Sequence, residues 1–563
     1  MTHDFDAIVV GSGITGGWAA KELTEAGLKV LMIERGRQIE HQSGYTREMA
    51  APWELPFRGR GDQSNYDRAF PVQRLNRHFN EWTQDHFVND RENPYSTADG
   101  TQFDWFRSYQ LGGRSLTWGR QCYRWSDYDF GANKRDGHGT DWPIRYADLA
   151  PWYDHVERFI GVSGAAEGLA QLPDGQFQPP MAMNAVEVAL RKHIGTHWPE
   201  RVVTIGRTAN LTEAKPDEGR ANCQYRSICA RGCSFGAYFS TQSSTLPAAM
   251  KTGRLTVLTD KVVERIDYDP VTRRVTGVRW VDTKTKQAGQ ATARMVFLNA
   301  GAFNSVHVLL NSASEAMPNG LANSSGVLGT HIMDHPNTVA AAATMPGFEQ
   351  HTMVGNRPTG VVIPRFRNMD KLDGIGHTRG FSYQGGALQS NWTRGQRQPG
   401  LGADNKNAIR SPGEWRMVLV VFADSMPRAS NRLTLDRRRT DANGLPLLNI
   451  AFAHGKEEHA ALAEAHALAV EMLESAGGKV LFGSDQPGHG GTAIHEMGGA
   501  RMGHDPATSV LNKWSQAHDV RNLFVTDGAQ MSSSASQNPS LTYMALTARA
   551  VDHAVALARQ NSL

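Results

Sequence analysis

Residues 5–34 read FDAIVVGSGITGGWAAKELTEAGLKVLMIE, and the type of fold is predicted from this segment. Residues 5–10 and 29–33 are apolar runs of strand length, and the segment between them opens with glycines and continues as a helix-forming sequence. A strand, a glycine turn, a helix, a second strand and a terminal acid within about thirty residues are typical of a dinucleotide-binding βαβ unit. The sequence therefore predicts a Rossmann-like domain.

The three glycines of this turn have different structural roles. Gly11 permits the tight turn after the first strand, Gly13 lets a pyrophosphate approach the backbone, and Gly16 lets the helix pack closely on the strand. Glu34 stands 23 residues after Gly11, where an acidic side chain can hold a ribose hydroxyl. The helix N-terminus would receive the phosphate charge. The motif predicts a bound dinucleotide but does not distinguish NAD from FAD.

The composition describes a large soluble protein. With 563 residues, 40% of them hydrophobic and 20% charged, the chain can bury a sheet-bearing domain and a second lobe. Its 59 Lys+Arg against 56 Asp+Glu leave a net charge of +3 that is dispersed, so we expect no nucleic-acid partner. We find no run of about eighteen apolar residues, so we expect no membrane-spanning helix. No basic and apolar leader precedes Phe5, which predicts that the chain has no signal peptide of its own.

Glycine-rich polar turns recur later in the chain. The segment 109–125, YQLGGRSLTWGRQCYRW, places Ser115 and Thr117 after Gly112 and Gly113, which suits either a second anion-binding turn or an ordinary glycine turn. The segment 492–503, TAIHEMGGARMG, carries a central histidine, His495. Between these segments the sequence predicts strands at 254–266, 274–282, 295–300, 415–424 and 432–435, and a helix at 457–476.

The C-terminal part combines a short strand with a long helix. Residues 522–527, NLFVTD, form an apolar run that ends in Asp527. In the predicted helix 538–556, Asn538 suits the N-cap and Pro539 suits the first helical position. The N-terminus of this helix would carry a partial positive charge.

Six blocks resemble the glucose–methanol–choline (GMC) family of flavin oxidoreductases, in the family's order and over essentially the whole chain. They are GSGITGG with its terminal Glu34, LGGRSLTWG at 111–119, NAGAFNS at 299–305, MDHP at 333–336, HEMGGARMG at 495–503, and NLFVTDGAQM through NPSLTYMALTARA. The resemblance implies an α/β fold, α+β overall, in which a Rossmann-like FAD-binding domain is interleaved with a substrate-binding domain on an antiparallel sheet. We expect the discontinuous FAD-binding domain at 1–40, 100–130, 205–330 and 485–563, and the substrate-binding domain at 41–99, 131–204 and 331–484.

The resemblance also implies FAD as the dinucleotide. The N-terminal glycines would lie on its pyrophosphate and Glu34 on its adenosine ribose. The rest of the cofactor would be bound by Gly112, Gly113, Ser115, Thr117, Asp527, Asn538 and Pro539. Some family members tether FAD through a histidine at the position that corresponds to Thr117. Threonine cannot form that bond, so we expect noncovalent FAD.

Family members place a histidine and a second His or Asn against the flavin, and these positions match His495 and Asn538. Oxidation of a secondary alcohol removes the hydroxyl proton and transfers the carbon-bound hydrogen as a hydride to flavin N5. A neutral imidazole is a suitable base for that proton. We therefore expect His495 to be the base and Asn538 to orient the same oxygen. A helix cap without a catalytic task is the alternative for Asn538.

Three of the four cysteines, Cys223, Cys229 and Cys233, lie within eleven residues. This spacing resembles the segment that holds a [3Fe–4S] cluster in the catalytic subunits of bacterial membrane-linked sugar dehydrogenases, and soft thiolates suit iron–sulfur chemistry. Free thiols, or zinc with a fourth ligand, are the alternatives. Ser234 stands where related cluster proteins often have proline. The remote Cys122 is expected to be a buried packing thiol.

Within the family, residues 111–127 most resemble FAD-dependent glucoside 3-dehydrogenases, which oxidise the C3 hydroxyl of glucosides and disaccharides to 3-keto sugars. In such systems a small companion subunit carries the export signal and a cytochrome c accepts the electrons, which predicts a periplasmic protein exported with its companion. A cytoplasmic location is the alternative.

Three other functions stay open at this point: a peroxide-forming sugar or alcohol oxidase, a glucose 1- or gluconate 2-dehydrogenase, and an inactive flavin-binding scaffold subunit. A sugar site needs apolar faces together with hydrogen-bonding groups. Candidates for these contacts are Gln537, Arg501, Glu496 and Trp415.

Overall fold

The computed structural model describes residues 3–353, 355–391, 394–395 and 399–563. The strands are β1 (Phe5–Val10), β2 (Val30–Ile33), β3 (Ser96–Thr97), β4 (Val162–Ser163), β5 (Phe177–Gln178), β6 (Thr204–Ile205), β7 (Leu255–Leu258), β8 (Lys261–Asp269), β9 (Arg274–Asp282), β10 (Ala288–Leu298), β11 (Asn337–Thr344), β12 (Val361–Ile363), β13 (Phe381–Gln389), β14 (Trp415–Ala423), β15 (Arg432–Thr440), β16 (Pro446–Ala451), β17 (Lys479–Phe482) and β18 (Leu523–Val525). The α-helices are α1 (Ile14–Glu25), α2 (Gln63–Ala69), α3 (Asp127–Phe130), α4 (Ala132–Asp136), α5 (Tyr146–Ile160), α6 (Ala185–His197), α7 (Leu246–Lys251), α8 (Ala302–Asn311), α9 (Gly402–Arg410), α10 (Lys456–Ser475) and α11 (Ser540–Arg559).

The first sheet has a parallel centre in the order β7, β2, β1, β10, β18. Strands β1, β2 and β18 are short apolar runs whose residues are mostly buried, which is why they lack polar alternation, whereas the edge strand β7 is half-buried to exposed. The long strand β10 also continues into an antiparallel meander with β9 and β8. The Rossmann-like part of the prediction is therefore confirmed.

The registers of the parallel strands bring their carboxyl ends to one edge of the sheet. Val10 pairs with Ile33 and with Leu298, and Leu298 pairs with Val525. The residues that follow each strand therefore meet at this edge. In open sheets of this kind, ligands bind outside the carboxyl ends of the strands.

The second sheet is antiparallel, in the order β17, β11, β14, β13, β12, β6. Its strand β14 alternates buried and half-buried positions, as expected for a sheet covered on one face. Apolar residues of α10 and α6 pack on that face and form a core separate from that of the first sheet. The antiparallel second sheet predicted from the sequence is thus present.

Two segments assigned to the substrate-binding domain pack with the first sheet's core. Tyr153 on α5 is fully buried, and its hydroxyl lies 2.7 Å from the Thr542 hydroxyl on α11. Leu433 and Ile450, on β15 and β16, belong to the same apolar cluster as Ile8 and Leu298. The predicted domain boundaries stay a prediction. In the described part of the chain, no helix is both long and apolar enough to cross a membrane.

Candidate active site

A cavity of about 880 Å³ opens at the carboxyl ends of the parallel strands. On one side it is lined by the turns that follow β1, β2, β10 and β18. On the other side it is lined by side chains of β13 and β14, among them Gln384 and Phe422. The cavity therefore lies between the two sheets, where residues from distant parts of the chain meet.

The first glycine turn has the geometry that its sequence predicts. Gly11 has a φ of +95°, and a Cβ there would lie 2.4 Å from the carbonyl oxygen of Asn299. A Cβ on Gly16 would lie 2.0 Å from the carbonyl oxygen of Gly11, so only glycine allows helix and strand to approach this closely. Gly13 faces open space and lines the cavity. A phosphate can approach the backbone there.

The second glycine turn packs directly against the first. The backbone N–H of Gly112 donates to the Ser12 hydroxyl at 2.8 Å, and Gly113 faces the Cα of Gly13. The Ser115 hydroxyl donates to the Gly112 carbonyl at 2.6 Å, which closes the turn. Gly113, Ser115 and Thr117 all line the cavity. The two turns form one continuous wall of backbone amides and hydroxyls.

Two buried acids stand at the ends of β2 and β18. The Glu34 carboxylate accepts hydrogen bonds from the Ser12 N–H and hydroxyl and from the Gly36 N–H, and burial raises the pKa of Glu34. The Asp527 carboxylate accepts from the Gly301 N–H at 2.9 Å, and burial raises the pKa of Asp527 to about 6. Both acids line the cavity, where the sequence predicted contacts to a ribose and to the rest of a dinucleotide.

His495 and Asn538 lie next to each other at the other end of the cavity. Nε2 of His495 is 3.1 Å from Nδ2 of Asn538. Asn538 Oδ1 accepts a 2.6 Å hydrogen bond from Nε2 of Gln384, on β13. Nδ1 of His495 is 2.9 Å from Nδ1 of His335. The two residues that the sequence paired are therefore brought together, with a neighbour on each side.

The hydrogen bonds of this chain fix the proton on each imidazole. His335 Nε2 faces the carbonyl of Ala535, which can only accept, so His335 Nε2 carries a proton. A neutral His335 then has a lone pair on Nδ1, so His495 Nδ1–H must be the donor between the two rings. Nε2 of His495 is left unprotonated and accepts from the Asn538 amide. The nitrogen that faces the cavity is therefore the basic one.

The surroundings keep both imidazoles neutral. Burial lowers the pKa of His335 to about 4. Burial also lowers the pKa of His495 well below its usual 6.5, and the neighbouring His335 and the positive charges of Arg114 and Arg77 lower it further. Neutral imidazole is the form that accepts a proton.

A buried carboxyl holds the loop that carries His495. Asp334 accepts hydrogen bonds from the backbone N–H groups of Gly491, Ala493 and His495, at 2.8, 3.3 and 2.9 Å. Burial raises the pKa of Asp334 to about 7, and the negative charge of Glu496 adds to this effect. These three bonds fix the backbone from which the His495 ring projects.

Helix α11 begins one residue later than the sequence suggested. Pro539 is the N-cap, the helix starts at Ser540, and Asn538 makes no capping bond. The prediction that Asn538 caps this helix was wrong, because its side chain is hydrogen-bonded to His495 and Gln384 instead. Both Asn538 and Pro539 line the cavity.

Only one of the four proposed sugar contacts lines the cavity among the described residues. Glu496 does so, in a bidentate ion pair with Arg114. Arg501 bonds the Thr140 and Thr330 hydroxyls and His331 outside the cavity. The Gln537 amide donates to the Gln171 carbonyl, and the Trp415 indole donates to the His351 carbonyl. Their hydrogen bonds hold these three side chains away from the cavity.

The three clustered cysteines do not form a metal-binding group. Across the described ranges, no set of three or more His, Cys, Asp or Glu side chains is arranged to hold a metal ion. Burial raises the pKa of both Cys223 and Cys233, which favours the thiol over the metal-binding thiolate. Cys229 lines the cavity. The predicted cluster therefore does not fit the side chains as they stand. Cys122 is a buried thiol, as expected.

Family models match both halves of the chain. The two models described as GMC oxidoreductase match residues 5–337 and 427–547. The chain belongs to the GMC oxidoreductase family. It is 25% identical to the fructose dehydrogenase large subunit of Gluconobacter japonicus, over 98% of both chains. It is 27% identical to the 2-methyl-1,2-propanediol dehydrogenase of Mycolicibacterium austroafricanum, over 97% of this chain and 94% of that protein.

A solved structure shows the same fold. Pyridoxine 4-oxidase from Mesorbium loti matches with a TM-score of 0.60 and 16% identity, over 97% of this chain and 98% of that one. At this identity the likeness concerns the fold alone. It shows that this chain and that oxidase share a fold.

Membership of the GMC family implies FAD, and the residues present fit it. The open face at Gly13, the adjoining second glycine turn and the acids after β2 and β18 line one continuous cavity. That cavity is long enough to run from Glu34 to His495, since both residues line it. The glycine turns would hold the pyrophosphate, Glu34 the adenosine ribose, and Asn538 and Pro539 would flank the flavin end.

Three residues of this site were missed by sequence reasoning. His335 stands in the MDHP block that supports the family assignment, but its contact with His495 has no signal in the sequence. Gln384 lies in an ordinary strand without a motif, and Asp334 is noticeable only as an acid beside His335. The one available signal was that His335 is a histidine within a family block to which no role had been assigned.

Proposed function

We propose that the protein oxidises a sugar or alcohol hydroxyl with FAD, and that His495 is the base. The observation that supports this most directly is the hydrogen-bond chain that leaves Nε2 of His495 unprotonated at the cavity surface. The names of the two relatives, a fructose dehydrogenase subunit and a propanediol dehydrogenase, favour the same class of substrate. The resemblance of residues 111–127 favours C3 of a glucoside as the oxidised carbon.

In the reaction, the substrate hydroxyl replaces the Asn538 N–H at the lone pair of His495 Nε2, and this nitrogen takes the hydroxyl proton as the carbon–oxygen bond becomes a carbonyl. The Asn538 amide, held by Gln384, orients the substrate oxygen and keeps the imidazole in place. FAD supplies the acceptor for the carbon-bound hydrogen, which leaves as a hydride. The N-terminus of α11 is aimed at the same end of the cavity and stabilises negative charge there.

The test is anaerobic flavin reduction by methyl glucoside, followed by stopped-flow absorbance. His495→Ala should retain FAD and slow reduction by three orders of magnitude or more. The matched control is His466→Ala, because His466 bonds the Ala340 carbonyl outside the cavity. Equal rates in wild type and His495→Ala would refute the assignment of the base. A wild-type flavin that no sugar or alcohol reduces would favour the scaffold alternative.

The electron acceptor separates the remaining alternatives. Slow reoxidation of the reduced protein in air, with fast reduction of cytochrome c, supports a dehydrogenase. Fast formation of hydrogen peroxide supports an oxidase. Because the thiols of Cys223, Cys229 and Cys233 form no metal-binding group among the described residues, we assign no electron step to a cluster. Iron and sulfide analysis after anaerobic purification tests the [3Fe–4S] prediction, and cell fractionation with the companion subunit tests periplasmic export.

A further inference from the structure

Four arginines that line the cavity, Arg35, Arg77, Arg120 and Arg231, form no ion pair with a carboxylate among the described residues. Arg35 and Arg231 donate to side-chain amide or backbone carbonyl oxygens instead, which leaves Arg77 and Arg120 without an oxygen acceptor in the described chain. Arg120 follows the second glycine turn, and Arg77 lies in the long segment between α2 and β3. Both side chains line the cavity. Arg120 is 6% exposed, and its Nε and Nη1 have no hydrogen-bond partner in the part of the chain that the structure describes. A buried guanidinium without a counter-charge loses several kcal/mol of hydration energy that nothing repays. Such an arrangement calls for an anion that arrives from outside the chain.

Most of the other buried arginines in the described chain pair with an acid. Arg501 and Arg549 are the exceptions, and their guanidinium groups donate to hydroxyl or carbonyl oxygens instead. Arg124 pairs with both Glu157 and Asp154, and Arg114 pairs with Glu496 inside the same cavity. The other buried or half-buried pairs are Arg107–Asp90, Arg207–Asp174, Arg357–Glu187, Arg379–Asp136 and Arg428–Glu458. Arg120 differs from these arginines, because it lines the cavity and two of its donor nitrogens have no partner among the described residues.

The groups around Arg120 do not supply the missing charge. Nε of Arg77 donates to Nε2 of His78 at 3.2 Å, so His78 is neutral there. Burial and the charges of Arg77 and Arg120 lower the pKa of His78 to about 3. Arg77 is an exposed cation and supplies no negative charge. The Tyr238 ring, whose centroid lies 5.2 Å from the Arg120 guanidinium, is a further neighbour, and it is uncharged.

The backbone of Arg120 is also unusual. Its φ is +60°, in the left-handed region that side chains other than glycine, asparagine and aspartate seldom adopt. Its carbonyl accepts a 2.8 Å hydrogen bond from the Ala209 N–H, which holds this conformation. Strained residues that the surrounding structure maintains are concentrated at functional sites. The Ala209 hydrogen bond therefore holds the backbone from which the Arg120 side chain projects.

We propose that Arg77 and Arg120 bind an oxyanion carried by the substrate, either a sugar carboxylate or a sugar phosphate. The proposal rests on the proposed function, since the anion would belong to the molecule whose hydroxyl is oxidised. Both arginines line the same cavity as His495, so one bound molecule can contact the arginines and the base. A guanidinium fork matches the two oxygens of a carboxylate or phosphate. The cofactor's pyrophosphate is accounted for separately by the glycine turns.

The experiment compares two glycosides that differ only at C6, methyl glucoside and methyl glucuronoside. Their dissociation constants are measured by calorimetry on the FAD-loaded His495→Ala protein, in which turnover does not interfere. We expect the glucuronoside to bind at least tenfold more tightly, and its advantage to fall at high salt. Glucose and glucose 6-phosphate form the second pair and decide between carboxylate and phosphate.

Variants of the two arginines locate the effect. Arg120→Met should reduce the preference for the anionic sugar to less than threefold, Arg120→Lys should restore part of it, and Arg77→Met should have a smaller effect. The matched control is Arg231→Met, because Arg231 also lines the cavity but already donates to the Glu48 carbonyl at 3.3 Å. It should leave the ratio of the two dissociation constants unchanged.

Three results would overturn the inference. Equal binding of the charged and neutral sugars would exclude the site. Loss of FAD from Arg120→Met would assign the arginine to the cofactor. Inorganic phosphate bound as tightly as the glucuronoside would show a site for a free anion. Failure of the proposed function is distinguishable, because the wild-type flavin would then stay oxidised with every sugar while the preference for the anionic sugar persisted.

Discussion

The two polar regions of the cavity are built in opposite ways. Around His495, a hydrogen-bond chain runs from Gln384 through Asn538 and His335 to the Ala535 carbonyl. At Arg120, two buried N–H donors have no partner in the described chain. The first region is complete before substrate arrives, and the second lacks a charge. The chain thus preorganises the atoms to which we assign proton transfer and leaves unpaired those that we propose bind the substrate.

We expect the largest difference between variants in the free energy of unfolding when two buried arginines, Arg124 and Arg120, are each replaced by methionine. Arg124→Met leaves Glu157 and Asp154 without their cation, and should lower the free energy of unfolding by about 3–5 kcal/mol. Arg120→Met removes a charge that has no partner, and should leave the free energy of unfolding of the sugar-free protein unchanged or raise it. Urea unfolding of the FAD-loaded proteins measures both.

The unfolding free energy of Arg120→Met also reveals whether the Arg120 guanidinium already has a partner in the folded chain. A loss of more than about 2 kcal/mol in Arg120→Met would show that the guanidinium is already satisfied within the folded chain. The difference between the two regions would then disappear.

The next effect concerns the proton positions in the hydrogen-bond chain. His335→Leu removes the acceptor for His495 Nδ1–H, so the proton is free to move to Nε2 and block the base. We expect flavin reduction to slow about 100-fold, which corresponds to about 2.7 kcal/mol, with little change in the sugar concentration for half-maximal rate. His335→Asn places a carbonyl oxygen near the lost acceptor and should recover part of the rate.

A pH series tests the same residue by a second route. Because the pKa of folded His335 is about 4, below its usual 6.5, the unfolded chain takes up this proton first as pH falls. The stability from neutral His335 is complete above pH 6.5 and declines toward pH 4. Wild type should therefore lose more stability than His335→Asn between pH 7 and pH 5. Parallel losses would show that His335 is not neutral in the folded protein.

The sequence predicted the fold and part of the site because those features are local. The spacing of Gly11, Gly13 and Gly16 in one turn is enough to predict their close approaches. Family blocks placed His495 and Asn538 together although 43 residues separate them. The unpaired donors of Arg120 could not be predicted from the sequence, because the absence of a partner depends on the positions of all the side chains that surround Arg120 in the fold. The spacing of Cys223, Cys229 and Cys233 predicted a cluster, but no metal-binding group is found among the described residues. Spacing along the chain does not determine how the thiol groups are oriented in the fold.

The smallest effect comes from the residue at the far end of the hydrogen-bond chain. The Asn538 amide has two orientations, and only one of them turns its NH₂ group toward the unprotonated Nε2 of His495. The 2.6 Å bond from Gln384 Nε2 to Asn538 Oδ1 selects that orientation, since an NH₂ group cannot face another donor. Gln384→Met keeps the volume and removes the donor, so we expect flavin reduction to slow about tenfold, or about 1.4 kcal/mol.

Gln384→Glu sharpens the test because it exchanges the donor for an acceptor and favours the opposite orientation of Asn538. It should slow flavin reduction more than Gln384→Met does, although the two side chains are similar in size. Stopped-flow reduction with methyl glucoside measures both variants. If both variants reduce flavin as fast as wild type, the orientation of Asn538 is set by His495 alone. The preorganised region would then begin at Asn538, and Gln384 would be an ordinary residue of β13.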